Sequence, residues 1–467
     1  MDQHEIAEAD FNPGRNPKKR QGSFKDSVTV APGPHENHGV LSKASTLDMG
    51  EINTDDRFRR LGWKRLVVLL IVEAVALGTL SLPSAFATLG MFLGIVLCIG
   101  IGMTAMYAAF VIGQVKLKYP GIKHYADIGR LLLGSFGFYL FSFGFVVQLL
   151  LVVGSHCLTG KTAIVAITSS NICSLVFSAI STIALILLAI PPSFSEVAIL
   201  GYIDFISIIA AIGVTIIATG VDSPTRHSAW SAWPKDGTTF AESMTAIMNI
   251  VFAYGFAVTM PSFMDELHTP KDFRKSIVAV GIIEIGIYTF TGAILYAFIG
   301  QDVRSPALLS ASPTISKIAF GLAFPVIFIS GSINITVICR FIHGQTFQHS
   351  LLRHINTKGG WITWLLLVFT VAVLAWVISE AIPLFYELLS IISSLFVSSF
   401  SFYVPSILWL FLLKEGRWYD RQNIGAAIAN LTVFLVGIIM FGWGTYSSVS
   451  EIKRKFESGE AHRPFTC

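Results

Sequence analysis

Three acidic residues stand alone inside long apolar stretches: Glu73, Asp204 and Glu284. Burial in a low-dielectric medium favours the neutral form of a carboxyl. Such a group can take up and release a proton near neutral pH, which is what proton coupling requires. Glu73 ranks first because it precedes Gly78 by about one and a half helical turns, and Asp204 ranks second. The structural alternative for all three is a neutral carboxyl hydrogen-bonded to a neighbouring helix. A second feature lies close by. Glycine then proline interrupts two apolar runs in the same order, Gly78 before Pro83 and Gly255 before Pro261. Paired interruptions of this kind mark helices that unwind at the midplane of a membrane. The bared N–H groups of a half-helix suit a carboxylate, and its freed carbonyls suit an ammonium. A dehydrated zwitterion needs both. Thr79, Leu80 and Ser81 flank the first interruption, and Ala253, Tyr254 and Phe256 flank the second. Tyr254 and Phe256 could cover an apolar side chain. Gln148 and Ser332, in other apolar runs, are further substrate candidates, and Ser330 with Ser332 could coordinate a cation. Lone Gly-plus-Pro pairs are also common as kinks and close-packing sites.

These residues have to be held by helices. Of 467 residues, 53% are apolar and only 13% charged, against about a quarter charged in soluble domains. Runs long enough to cross a bilayer recur after position 65, and they predict an all-α integral membrane protein of about eleven spans. The spans are expected near 66–88, 91–114, 136–160, 174–191, 196–220, 241–263, 276–300, 308–339, 361–379, 381–413 and 423–447. The two interruptions then fall five spans apart, in spans one and six, as two inverted five-helix repeats followed by one extra C-terminal helix would place them. Residues 1–60 are polar and poor in aromatics and read as a disordered cytoplasmic tail. Residues 61–447 form the transmembrane domain, and 448–467 a short C-terminal tail.

Lysine and arginine set the orientation. With the N-terminus in the cytoplasm, inner loops carry clusters such as Lys116, Lys118, Lys123 and Arg130, while outer loops carry only Lys161, Arg226, Lys235 and Arg304. The basic run at Lys453, Arg454 and Lys455 falls outside and spoils the pattern. Two sequons, at Asn334 and Asn430, lie inside predicted spans and should stay unmodified. Cys98 and Cys339 read as packing residues. Cys157 and Cys173 flank one outer loop, so a disulfide between them is an expectation to check. His156 reads as a packed or pore-edge residue, and Lys317 and Glu387 as span-end residues.

The stretches 61–90, 188–205, 263–277 and 325–334 resemble the amino acid/auxin permease family of the APC superfamily. They are most similar to the neutral amino acid permeases of filamentous fungi, of the methyltryptophan-resistance, N-system type. Glu266, Pro270 and Phe273, just after span six, carry the most specific part of the resemblance. The resemblance implies a five-plus-five inverted repeat with discontinuous helices one and six, alternating access, and coupling to protons or sodium. It implies that Gly78, Thr79, Leu80 and Ser81 face the substrate carboxylate. Ala253, Tyr254, Gly255 and Phe256 would line the ammonium and side-chain part.

The resulting expectation is a secondary active transporter that imports neutral aliphatic and aromatic amino acids by proton symport at the plasma membrane. Alternatives are a sodium-coupled carrier, a vacuolar carrier, or an amino-acid-sensing receptor. The small net charge of +4 and its scattered basic residues argue against nucleic acid as a partner. An enzyme is not expected: the chain has no HExxH or GxSxG motif and no cysteine spacing suited to a metal. No cofactor is expected either.

Overall fold

The computed structural model describes residues 62–170, 172–192, 194–222, 229–265, 267–347, 350, 357–460 and 463–467. The expected N-terminal tail lies outside the described residues. The described part is helical throughout. In chain order it comprises α1 (Trp63–Leu89), α2 (Met91–Lys118), α3 (Tyr125–Thr168), α4 (Ser174–Leu188) and α5 (Phe194–Asp222). There follow α6a (Phe240–Ala253), α6b (Met260–Asp265), α7 (Phe273–Ile299), α8 (Pro313–Thr346) and α9 (Lys358–Ala381). The series ends with α10 (Phe385–Leu413) and α11 (Ile424–Glu457).

Eight of these helices are long and apolar enough to cross a membrane, and α1, which is bent, makes a ninth. The two remaining predicted spans correspond to the shorter apolar helices α4 and α6a. Large apolar side chains such as Phe136, Phe143, Ile217, Phe369 and Phe411 are exposed on α3, α5, α9 and α10. Water would not tolerate a continuous apolar face of that size, whereas lipid does. α8 is deeply enclosed, seated between α3 and α5. α1 lies against α6a and α7.

The close turn between α1 and α2 depends on Gly90, whose φ is +79°. A Cβ there would also come within 2.5 Å of the Trp233 backbone. That segment caps α2: Met91 N donates to Ser231 O at 2.9 Å and Phe92 N to Ala232 O at 3.0 Å. These bonds satisfy donors that a helix start leaves open. α3 is kinked at Leu133–Gly134, where Gly134 has φ +63°. α10 contains π-helical stretches at Ser393–Val397, Ser399–Tyr403 and Trp409–Leu413.

The two predicted breaks fare differently. Span six is discontinuous as expected: α6a ends at Ala253, Gly255–Val258 forms a 3-10 turn, and α6b resumes at Met260. Span one is not unwound at Gly78–Pro83, and this corrects the expectation. Helix continues through both residues, and the bend, of 44°, lies instead between Val72 and Ala74. The reason is local. Thr79 Oγ1 donates to Val75 O at 2.5 Å, and Ser81 Oγ donates to Gly78 O at 2.9 Å. Both hydroxyls are committed to carbonyls of their own helix. Pro83 removes one N–H, which costs a single intrahelical bond.

The disulfide expectation is also corrected. Cys173 pairs with Cys467, while Cys157 stays reduced and packs with its Sγ 3.0 Å from Thr182 Oγ1. α11 runs past the predicted end at 447 to Glu457. Arg454 and Lys455 in its last turn suit the negative end of the helix dipole.

Candidate functional site

Two cavities lie one above the other along the same four helices. The smaller, about 40 Å³, is lined by Ala74 of α1, Gln148, Leu149 and Val152 of α3, Val397 of α10, and Phe252, Gly255, Phe256 and Val258 at the α6 break. The larger, about 520 Å³, opens at the side that the lysine and arginine asymmetry makes the outer one. It is lined by Ser84 of α1, Leu158 and Thr162 of α3, Glu242 and Thr245 of α6a, Tyr386 and Glu387 of α10, the α7–α8 loop, and the end of α11. Counting along each helix at 1.5 Å per residue, the two are separated by roughly 9–16 Å. A space of 40 Å³ admits about two or three waters; an amino acid needs more.

The small cavity unites several residues singled out in the sequence. Gly255, Phe256 and Gln148 all line it. Gln148 is 3% exposed, and its Oε1 has no hydrogen-bond partner among the described residues. Buried polar atoms are nearly always satisfied, so an orphan amide oxygen facing a cavity is a group in wait of a donor. Other expected residues are placed elsewhere. Gly78 lies against α6a, where an added Cβ would meet Ala253 Cα at 2.8 Å. Its role is close approach of α1 to the end of α6a. Thr79, Leu80 and Ser81 are buried, and the two hydroxyls are committed to α1 carbonyls. Tyr254 turns away from the cavity: its hydroxyl donates to Cys98 O on α2 at 2.9 Å and its ring meets Tyr288 of α7 at 5.1 Å. Ser332 Oγ donates to Ile329 O within α8.

The acids also separate. Asp204 is wholly buried on α5, and Ser330 Oγ of α8 lies 3.1 Å from its Oδ2 and 3.2 Å from Val72 O. That hydroxyl therefore joins Asp204 to α1 at the bend. Glu73 occupies the bend itself, and its side chain lies outside what is described. Glu284 is wholly buried on α7, with neither oxygen hydrogen-bonded among the described residues.

Sequence reading missed the polar floor of the larger cavity. Ser84, Thr245 and Tyr386 line it, and each has a buried hydroxyl without a partner among the described residues. Asn249, just below, donates to Thr245 O and Tyr386 O and so ties α6a to α10. Polar residues recurring on one face of α6a, at Thr245 and Asn249, were the available signal. The walls are charged but balanced. Lys455 Nζ is 2.5 Å from Glu387, Arg454 is 2.8 Å from Glu451, and Arg454 also reaches Glu242 at 3.4 Å. Glu387 was expected at a span end; it is buried and paired.

The opposite end of the same helices is closed. Lys116 of α2 contacts Asp265 of α6b at 2.6 Å and donates also to Pro120 O and Ile122 O. His124 Nδ1 is 3.1 Å from Ser262 Oγ of α6b. Burial holds the His124 imidazole below its usual value of 6.5, with nearby Asp127 opposing and Arg340 adding to that fall.

Comparison with known proteins agrees with this architecture. The sequence model of the transmembrane amino acid transporter protein family matches residues 59–450. The "N amino acid transport system protein" of Neurospora crassa is 48% identical over 95% of this chain and 97% of its own. A protein of Gibberella moniliformis described as a transmembrane transporter is 26% identical over 91% of each chain. Among solved structures, Mhp1, a nucleobase-cation-symport-1 family transporter in a closed conformation, superposes with a TM-score of 0.55 at 13% identity. The match spans 86% of this chain and 93% of Mhp1, and at that identity it speaks for the fold alone.

Proposed function

The chain belongs to the transmembrane amino acid transporter family, and we propose that it imports neutral aliphatic and aromatic amino acids by proton symport across the plasma membrane. One observation carries the reading. An open, polar vestibule and a closed inner cavity share the walls α1, α3, α6 and α10, and the helix break sits at the lower one. In a chain taken to cross the membrane eleven times, this is an outward-facing carrier before substrate has expanded its site. The 48% identity to a protein named for N-system amino acid transport supports the substrate class.

The proposed chemistry follows from the groups present. The carbonyls and N–H groups released between Ala253 and Met260 receive the charged ends of the zwitterion. Gln148 Oε1 accepts from the ammonium. Phe252, Phe256 and Val397 form an apolar wall for the side chain. Thr79, Leu80 and Ser81 act from behind, through the packing of α1 on α6a. Asp204, with Glu73 at the α1 bend, holds the coupling proton, and Ser330 transmits its state to Val72 O. Closure of the vestibule and release of the Lys116 and His124 contacts would then expose substrate to the inner side. The Cys173–Cys467 bond is of a kind that persists in an oxidising space, which supports a loop at the cell exterior.

The test is uptake of labelled leucine and phenylalanine into proteoliposomes holding the full chain, under an imposed pH gradient or an imposed sodium gradient. Accumulation driven by the pH gradient and abolished by a protonophore is expected. Accumulation that follows sodium and ignores the pH gradient would overturn the coupling, and binding without accumulation would make the chain a receptor.

A further inference from the structure

Behind the α6 break lies a polar cluster that the reading above does not use. Glu284 of α7 is 0% exposed, and both carboxyl oxygens are without a hydrogen-bond partner among the described residues. No described cation pairs with it. One helical turn on, the Tyr288 hydroxyl is equally buried and equally unpartnered. The Tyr288 ring packs edge-on against Tyr254, the residue at which α6a ends. Tyr254 in turn donates to Cys98 O, with Cys98 Sγ 3.3 Å from its hydroxyl. The titratable groups near Glu284 are Tyr288 from its own helix and Tyr254 from α6, with Cys98 of α2 beyond Tyr254; none is a charge partner.

A lone ionised carboxylate in such a place would go uncompensated, so the group must be neutral in this conformation. It also sits where the transport cycle has to move. Tyr254 caps the end of α6a before the 3-10 turn, so a rotation there would shift its hydroxyl and the Tyr288 ring packed on it, and either hydroxyl, once set on the carboxyl, would bond to it. Hydrogen bonding to the charged form favours it, so that movement would release the proton. Along α7, Glu284 is about 16 Å from the inner end and about 22 Å from the outer one, which favours release inward. Asp204 differs, because Ser330 already holds one of its oxygens in the same conformation.

We propose that Glu284 binds a proton of the transport cycle, at a site separate from Asp204, and that Tyr254 ties its proton release to movement of the α6 break. The step is a simple ionisation: the carboxyl loses H⁺ to the inner aqueous side, and the carboxylate left behind keeps its charge and accepts a hydrogen bond from a tyrosine O–H. The proposal rests on the proton-symport reading, and the experiment separates the two.

In proteoliposomes of the full chain, the number of protons moved with each leucine is read from the pH gradient at which net leucine flux reverses. Leucine counterflow at zero gradient is measured alongside. If the wild type shows no proton-driven flux, the symport reading fails. If it does, Glu284→Gln should keep counterflow and move one proton fewer per leucine; an unchanged ratio overturns the proposal while leaving symport intact. Should Glu284→Gln also lose counterflow, Glu284→Asp decides. Restored exchange with a displaced pH profile supports the assignment. Restored exchange with the wild-type profile, or none at all, overturns it.

Discussion

Gly78 and Ala253 touch across the α1–α6a contact so closely that one methyl group has no room. Forcing one in costs about 1–3 kcal/mol. Gly78→Ala should therefore cut uptake by about tenfold or more, and Ala253→Gly in the same chain should restore most of it, a coupling that independent sites would not show. Measured uptake normalised to surface protein checks both. If Gly78 instead lay at an unwound, substrate-facing backbone, the second change would rescue nothing. Gln148 offers the complementary case. Gln148→Leu keeps the volume and removes the orphan oxygen, so KM for leucine should rise about tenfold, worth about 1.4 kcal/mol, with little change in expression. At this scale Gln148 could be singled out as a lone amide in an apolar run, and it lines the small cavity. The sequence was ambiguous for Gly78, because an unwound helix and a tight helix contact both require a missing Cβ.

The same ambiguity explains the contrast between α1 and α6. Both have glycine then proline, yet only α6 is broken. In α1, Thr79 and Ser81 return their hydroxyls to α1 carbonyls, an outcome set by rotamers that spacing does not reveal. In α6, the Tyr254 hydroxyl is drawn to Cys98 on α2, which fixes the helix end. Tyr254→Phe should cost about 1 kcal/mol of stability, read as a lower melting temperature of the detergent-solubilised protein. On the inner side, α6b is held by Lys116–Asp265 and by His124–Ser262. Asp265 is partly exposed, so Asp265→Asn should weaken that closure by only about 1–2 kcal/mol. Faster labelling of a cysteine introduced at Met264, which is buried on α6b, would report the opening. His124 adds a pH dependence. Its imidazole titrates below 6.5 in the closed state, so its contribution is complete above about 6.5 and is lost as pH falls below that value, because the opened state takes up the proton first. Labelling at the introduced cysteine, normalised at each pH to the rate for the same cysteine in unfolded protein because the thiolate is the reacting form, should rise when the inner compartment is acidified from about 7 to about 6.

Taken as one molecule, the helix order was plain from hydropathy, because a bilayer imposes a length rule on every span; a charge rule was expected to gather lysine and arginine on one side of it. The basic end of α11 looked like an exception to those rules. Its cations are answered by carboxylates around the vestibule mouth: Lys455 by Glu387, and Arg454 by Glu451 and Glu242. Glu451 is three residues from Arg454 on the same helix, but the pairings to Glu387 and Glu242 join elements far apart in sequence and leave no local trace, and the partner of Cys173 was missed for the same reason. Because Glu387 and Glu451 are buried, these pairs are weakly screened. Arg454→Gln should slow leucine uptake several-fold through a less ordered mouth, and raising external salt should not mimic the substitution.

The Cys173–Cys467 bond joins residues 294 positions apart and so closes most of the transmembrane chain into a covalent ring. A specific protease site inserted in the α10–α11 connection, within 414–423, would open the ring without separating its halves. On a gel without thiol the cut protein should still run as one band, and dithiothreitol should split it into two. An uncut-sized band that persists after reduction would mean failed cleavage, and two bands before reduction would mean that the ring does not exist.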